Sequence, residues 1–197
     1  MFTPSHFKIT DDEEIYSFID HNGFGQIIST VQGKIFSTHI PFLLSEDRNS
    51  LIGHMALQNP QQAEIDGQEV LITLEGPHAY ISPTWYTSPG VPTWNYQTVH
   101  IYGICKLLHD PSALKTIVDD LTLKYETALG THWQPNYNKA MLKYIVGVEI
   151  KVSNIQCKYK LSQNQSLQDR ENVAKELDKL GSGLLATAIR HTNEQTG

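Results

Sequence analysis

The sequence predicts an α+β fold, mainly β: a mostly antiparallel sheet closed into a barrel, with helices flanking it. Three observations carry this. Six apolar stretches rich in β-branched and aromatic residues, each of strand length, are separated by turn residues. Segments with helical periodicity, each preceded by a capping residue, stand before, between and after these stretches. The chain, 197 residues with only two cysteines, is long enough for one hydrophobic core without disulfide or metal staples.

The first element is "TDDEEIYSFIDHNG", a short helix with Thr10 at the N-cap, Glu13 completing a capping box, Ile15, Phe18 and Ile19 on one face, and Gly23 as its stop. The strand-like stretches "FGQIIST", "IFSTHIPFLL", "SLIGHM" and "VLITLEG" follow, and later "TVHIYGICKLL" and "YIVGVEIKV". Between the last two lies "DPSALKTIVDDLTLKYE", where Asp110 caps, Pro111 takes the first helical position, and Leu114, Ile117, Val118, Leu121 and Tyr125 form an apolar stripe. That helix packs on the barrel. In the tail, Ser166 and Asp169 make a second capping box. Val173, Leu177 and Leu180 share a face, and Gly181-Ser182-Gly183 breaks the helix before another. The expected organisation is one domain, with a barrel over residues 1–165 and a helical appendage over 166–197.

The net charge of −6 is uneven: residues 151–197 hold seven basic and five acidic side chains, leaving eight basic and sixteen acidic in the first 150. The bulk of the chain should therefore repel nucleic acid. The N-terminus has neither a basic region nor an apolar core of a secretion signal, and no apolar run is long enough to cross a bilayer, so the expected setting is the reducing cytoplasm.

Four segments stand apart from core building. In "STHIPFLL", Thr38 and His39 interrupt a strand-like run and Pro41 denies the ladder a donor, which favours an edge or bulge. In "GHMALQNPQQ", Asn59 can cap a helix started by Pro60, leaving N–H groups that either cap in the ordinary way or receive an anion. "GPHAYISPTWYTSPGVPTWNY" is too broken by proline and glycine to be one regular element. Its rigid aromatics suit the wall of a flat slot for a planar ligand, a plug for the barrel mouth, or an oligomer interface. "KYKLSQNQS" offers cations and amides, and reads equally as a solvated loop. His39, His54, His78 and His100 lack the short paired spacing of zinc motifs, neither cysteine has a CxxC partner, and no G-x-S-x-G or P-loop occurs. No metal site and no catalytic constellation is expected.

Together the segments "THIPFLL", "GHMA" with "NPQ", "GPHAYISPTWY", "VPTWNYQTVHIYG", "IVGVEI" and "KYKLSQNQSLQDR" resemble the PaiB family of FMN-binding negative transcriptional regulators, within the flavin-binding split-barrel superfamily. The resemblance implies a split β-barrel, a homodimer with flavin at the subunit interface, and a role in repressing genes. It implies FMN contacts at Thr38, His39, Pro41, His54, Ala56, Asn59, Pro60, Gln61, His78, Tyr80, Trp85, Trp94, Tyr96, His100, Lys160, Ser162, Gln163 and Asn164. Of these, Asn59 to Gln61 would lie near the phosphate and Lys160 to Asn164 would close the site. Trp85, Tyr86, Trp94 and Tyr96 would form the dimer seam. Many relatives are expected to carry a basic residue after the GHMA motif; here that place holds Leu57, with Lys158 or Lys160 to compensate.

Three functions are compatible with these residues: a flavin-binding regulator acting through its cofactor or a partner protein, an FMN-dependent oxidoreductase or flavin reductase, and a direct DNA reader using the tail as a helix-turn-helix. The last is disfavoured, because "LLATAIRHTN" offers a single arginine to a major groove.

Overall fold

The computed structural model describes residues 1–194. In chain order these form β1 (Lys8–Ile9), α1 (Asp12–His21), β2 (Phe24–Val31), β3 (Lys34–Leu44), β4 (Ser50–Ala56), β5 (Glu69–Ile81), β6 (Thr93–Leu108), α2 (Pro111–Ala128), β7 (Ile145–Lys160), α3 (Leu167–Lys179) and α4 (Gly183–Glu194). The chain divides into two compact units, one of residues 16–74 and 100–155, the other of residues 1–15, 75–99 and 156–197. The strands β5, β6 and β7 each begin in one unit and end in the other.

The unit of residues 16–74 and 100–155 is the barrel. Its strands pair in the order β7-β4-β3-β2-β5-β6, and β6 pairs back onto β7, which closes the ring. The register follows from the two-residue side-chain period, since a slip of one would turn every apolar side chain to solvent. Ile27 stands opposite Ile72, Gly25 opposite Leu74, Leu51 opposite Ile150 and Met55 opposite Val146, all pointing inward and buried. Closure needs a close backbone approach at Gly103, where an added Cβ would lie 2.4 Å from the Lys151 carbonyl oxygen. The helix α2 presents Leu114, Ile117 and Leu121 to the barrel wall at Gly147, while Val118 is half-buried and Tyr125 is exposed, so the inward stripe is narrower than its period suggests. Pro41 sits where β3 changes partners: Lys34 to Pro41 pair with β2, and Phe42 to Leu44 pair with β4. Its missing donor is harmless at that fork.

The other unit is built on the ends of the three shared strands, with β1 paired to β7 at Lys8 with Lys158 and Ile9 with Cys157. Its core includes Phe7, Ile81, Val99, Tyr159 and Leu161, and the hairpin of α3 and α4 buries Val173, Ala174 and Leu177 with Leu185, Ala186 and Ile189. The Ser166 hydroxyl accepts from the Asp169 amide at 3.1 Å, as a capping box should, and Gly181 adopts φ +79° at the turn.

Three expectations are corrected. The N-terminal cap of α1 is Asp11, whose carboxylate accepts from the Glu14 amide at 2.9 Å, rather than Thr10. Asn59 does cap Pro60, but the element is one 3₁₀ turn, Pro60–Ala63, and not an α-helix. The segment from Gly76 to Tyr96 is, as expected, not one regular element: Gly76 to Ile81 end β5, Pro83 to Trp85 form a 3₁₀ turn, and Thr93 to Tyr96 begin β6. Leu180 is exposed instead of joining the α3 face.

Candidate functional site

In the barrel unit, the sequence-predicted residues Thr38, Asn59 and Gln61 form one closed polar network. The Thr38 hydroxyl donates to Gln61 Oε1 at 2.6 Å and accepts from Asn59 Nδ2 at 2.8 Å, while Asn59 Oδ1 takes the Gln61 amide at 3.0 Å. Gln61 Nε2 donates to Ser29 Oγ at 2.8 Å and to the Ile27 carbonyl at 3.2 Å. Gln61 is 0% exposed and its side chain is fully engaged. Its place is therefore a brace that fixes the 3₁₀ turn to β2 and β3, not a ligand contact. The donors of that turn are equally engaged, which removes the expected anion cradle at Pro60: the Gln62 amide is taken by the Asn59 carbonyl.

His39 is exposed and stacks on Phe24 with ring centroids 6.1 Å apart and planes 24° from parallel; Phe24 itself is 62% exposed. This pair is a flat, open aromatic surface on β2 and β3. His54 is half-buried, and desolvation pulls its imidazole below the ordinary histidine value; its buried Nδ1 has no hydrogen-bond partner. Ala56 is exposed at the end of β4, and Leu57 follows it, its amide donating to the Tyr144 carbonyl. His100 is half-buried on β6.

In the other unit, a cavity of about 250 Å³ gathers residues from four segments: His6 and Phe7, Tyr86 and Val91 of the aromatic loop, Thr93 and Asn95 of β6, and Lys160, Ser162, Asn164 and Gln165. Gly90 lets the loop fold tightly here, since a Cβ on it would meet the Tyr86 ring at 2.3 Å. The loop is tied to α3 by Asp169, whose Oδ1 accepts from the Thr87 amide at 2.7 Å and the Thr87 hydroxyl at 2.8 Å. These bonds hold the Asp169 carboxyl below the ordinary carboxylate value.

The electrostatics of this cavity are unusual in two ways. Lys160 donates to the Trp94 carbonyl at 2.6 Å and to the Thr93 hydroxyl, and Lys158 donates to the Phe2 carbonyl while its ammonium lies 5.2 Å from the Tyr96 ring centre. Neither lysine has a carboxylate partner among the described residues, although Lys158 is buried. Burial first, and the Lys158 charge second, pull the Lys160 ammonium below the ordinary lysine value. Asn95, 1% exposed, donates through Nδ2 to Ser162 Oγ at 2.8 Å and leaves its buried Oδ1 without a partner. Ser162, in a left-handed conformation at φ +64°, is buried beneath it. Gln163 is turned back on its own strand, bonding the Tyr159 carbonyl and the Leu161 amide, so it locks the turn instead of lining the cavity.

Outside the cavity, Trp94 is 54% exposed and meets the 48%-exposed Tyr80 edge to face, with centroids 6.1 Å apart. Trp85 and Tyr96 are half-buried, and His78 is exposed with Nδ1 on the Gly76 carbonyl. Sequence reasoning missed Asn95, Thr93 and His6. For Asn95 a signal existed: strand alternation that turns Trp94 outward turns Asn95 inward. Both cysteines are free and buried, and burial pushes each thiol up to about 12. No helix among the described residues is long and apolar enough to cross a membrane.

A model of a family described as a putative FMN-binding domain matches residues 1–154. The chain is 41% identical to the protease synthase and sporulation protein PAI 2 of Bacillus subtilis over 188 residues, 90% of this chain and 89% of that one. An uncharacterized protein of Aspergillus fumigatus is 31% identical, over 85% of this chain and 87% of its own. Among solved structures, the flavocytochrome Anf3 of Azotobacter vinelandii superposes with a TM-score of 0.65 at 13% identity, covering 83% of this chain and 74% of that one. An FAD and heme binding protein of Mycobacterium smegmatis superposes with a TM-score of 0.61 at 14% identity, covering 77% and 72%. These last two are likenesses of fold.

Proposed function

The chain belongs to the PaiB-type family of putative FMN-binding domains, and from that premise we propose that it is an FMN-binding negative regulator of transcription, working as a cytoplasmic homodimer. The observation that carries this reading is the 41% identity to PAI 2 across nine-tenths of the chain, together with the family match. Residues 1–197 act as one flavin-binding domain in this reading.

The residues present fit a flavin. Lys160, a desolvated lysine in the cavity lining without a carboxylate partner among the described residues, favours an electron-rich ligand, and a buried amide oxygen without a partner favours one that also carries a hydrogen-bond donor. Lys160, Ser162 and Asn164 hold the flavin at the cavity. His78, Tyr80, Trp85, Trp94 and Tyr96, in the same unit as the cavity, are kept as further contacts on the family resemblance. Bound FMN supplies electron and hydride acceptance, which gives a regulator a redox-dependent state. The exposed Tyr80 and Trp94 pair supplies the residue types that fill dimer cores, with Trp85, Tyr86 and Tyr96 beside it in sequence.

Regulation runs through the flavin or a partner protein and not through a DNA-reading helix. What supports this is the state of Arg190, the one arginine of α4: it donates to Asp178 at 2.8 Å and to Glu171 at 3.3 Å, so both acids compete with any phosphate for it. The test is direct. Protein incubated with FMN and desalted should retain flavin, and should give no sequence-selective shift of promoter DNA at physiological salt. Failure to retain FMN refutes the flavin reading. A tight, selective shift abolished by Arg190→Ala refutes the indirect mechanism.

A further inference from the structure

We propose that Asn95 reads the imide edge of the flavin's pyrimidine ring: its Oδ1 accepts the ring N3–H, while the Lys160 ammonium and the Ser162 hydroxyl serve the carbonyls on either side. This rests on the flavin reading above and specifies which end of the cofactor the cavity takes.

The cavity's size limits what it can enclose. At about 250 Å³ it is smaller than the roughly 300–1,000 Å³ that encloses a whole ligand, so it holds one end of a larger molecule. An FMN molecule offers a phosphate, a chain of hydroxyls, an apolar dimethylbenzene edge and the pyrimidine edge; the dimethylbenzene edge has no donor for Asn95 Oδ1, and the hydroxyl chain has no flat face for the Phe7 and Tyr86 rings. The phosphate carries only acceptors when ionised and would set its lone pairs against those of Asn95 Oδ1, which has no other partner. The edge of the ring alternates acceptor, donor, acceptor. The lining supplies the complementary set of groups: Lys160 has a third ammonium proton beyond the two used on Thr93 and Trp94, Asn95 Oδ1 is an acceptor, and the Ser162 hydroxyl, which already accepts from Asn95 Nδ2, has its own proton to give.

The amide orientation is set by the surroundings. A side-chain amide can present either oxygen or nitrogen. Lys160, desolvated and without a carboxylate partner, makes the cavity electropositive, which favours the oxygen toward it and the NH2 toward Ser162. Ser162 holds a left-handed backbone conformation that a non-glycine residue rarely adopts, which places its hydroxyl under Asn95. The flanking aromatic Tyr86 and the ring of Phe7 complete apolar walls on which a flat ring can lie.

The experiment titrates the full-length protein with FMN and with 3-methyl-FMN, in which the donor is replaced by a methyl group, following quenching of flavin fluorescence. Leaving a buried acceptor unpaired should weaken 3-methyl-FMN roughly ten- to a hundred-fold relative to FMN. In Asn95→Ala the two flavins should bind within about twofold of each other, and in Asn95→Asp, which keeps an acceptor in place, the preference for FMN should persist. No FMN binding by the wild type overturns the flavin reading and this inference with it. Normal FMN binding with equal affinity for 3-methyl-FMN leaves the flavin reading standing and overturns only the role of Asn95. The wild-type comparison decides the matter even if a variant fails to fold.

Discussion

Replacing Gln61 separates stability from cofactor binding, because this residue braces the barrel unit from a position where the family resemblance would place a phosphate contact. In Gln61→Leu the side-chain volume is nearly kept, but three hydrogen bonds go: those to Thr38, Ser29 and the Ile27 carbonyl. Ser29 and Ile27 are buried, so two partners lose their bonds where water cannot replace it fully. At about 1 kcal/mol for the bond to half-buried Thr38 and 1–3 kcal/mol for each of the two buried groups left unpaired, the loss is about 3–7 kcal/mol. That is a large share of the roughly 5–15 kcal/mol that holds a typical domain folded. Urea unfolding followed by circular dichroism should show the midpoint falling with the slope unchanged. FMN affinity, measured in buffer where the variant is still folded, should stay within about twofold, because every polar atom of the side chain is already engaged within the protein. A stability change below about 1 kcal/mol joined to a tenfold loss of FMN affinity would refute this reasoning and make Gln61 a cofactor contact.

Three further expectations can be checked separately. Trp94→Glu puts a charge on the exposed aromatic pair; light scattering should report a dimer for the wild type and a monomer for the variant, and FMN affinity should drop about tenfold or more. A folded monomer with unchanged flavin affinity would show the site to be complete within one chain. The carboxyl of Asp169 titrates below its ordinary value in the folded protein, so its stabilising effect is complete above the ordinary carboxylate range and disappears as the pH falls through the lowered value. Asp169→Asn should therefore flatten the acid side of the stability profile, and an unaltered profile would count against the Thr87 anchor. Both thiols, pushed up to about 12, should react with an aromatic disulfide reagent at pH 8 about a thousandfold more slowly in the native protein than after unfolding. Rapid native labelling would show that a cysteine is accessible and ionised.

What the sequence disclosed was governed by local rules. Capping boxes and Pro at a first helical position are written in neighbouring residues, so α2 and α3 were legible to within a residue or two. The barrel strands followed from periods of two, although proline at positions 77 and 41 made β5 and β3 look more broken than they are. Side-chain roles that depend on distant partners were not legible. Nothing in "NPQ" says that Gln61 reaches Ser29, 32 residues away, and so a structural brace was read as a phosphate neighbour. Asn95 was overlooked for the opposite reason: it lies between two tryptophan- and tyrosine-bearing positions whose bulk drew attention to the outer face of the strand. Its lack of a partner is a property of three-dimensional packing and has no signature in spacing.

Asp169 carries a consequence for cooperativity. One carboxylate both completes the cap of α3 and holds the Thr87 backbone and hydroxyl, so the first turn of the helix and the aromatic loop share a single fastening. Each steadies the other: the cap bonds at Ser166 hold the carboxylate in place for Thr87 through its other oxygen, and the Thr87 bonds hold the same carboxylate at the start of the helix. The two segments, 82 residues apart in the chain, are therefore coupled through one carboxylate. Whatever orders the aromatic loop also tightens the start of α3, and a force applied to the tail is felt at the tryptophans.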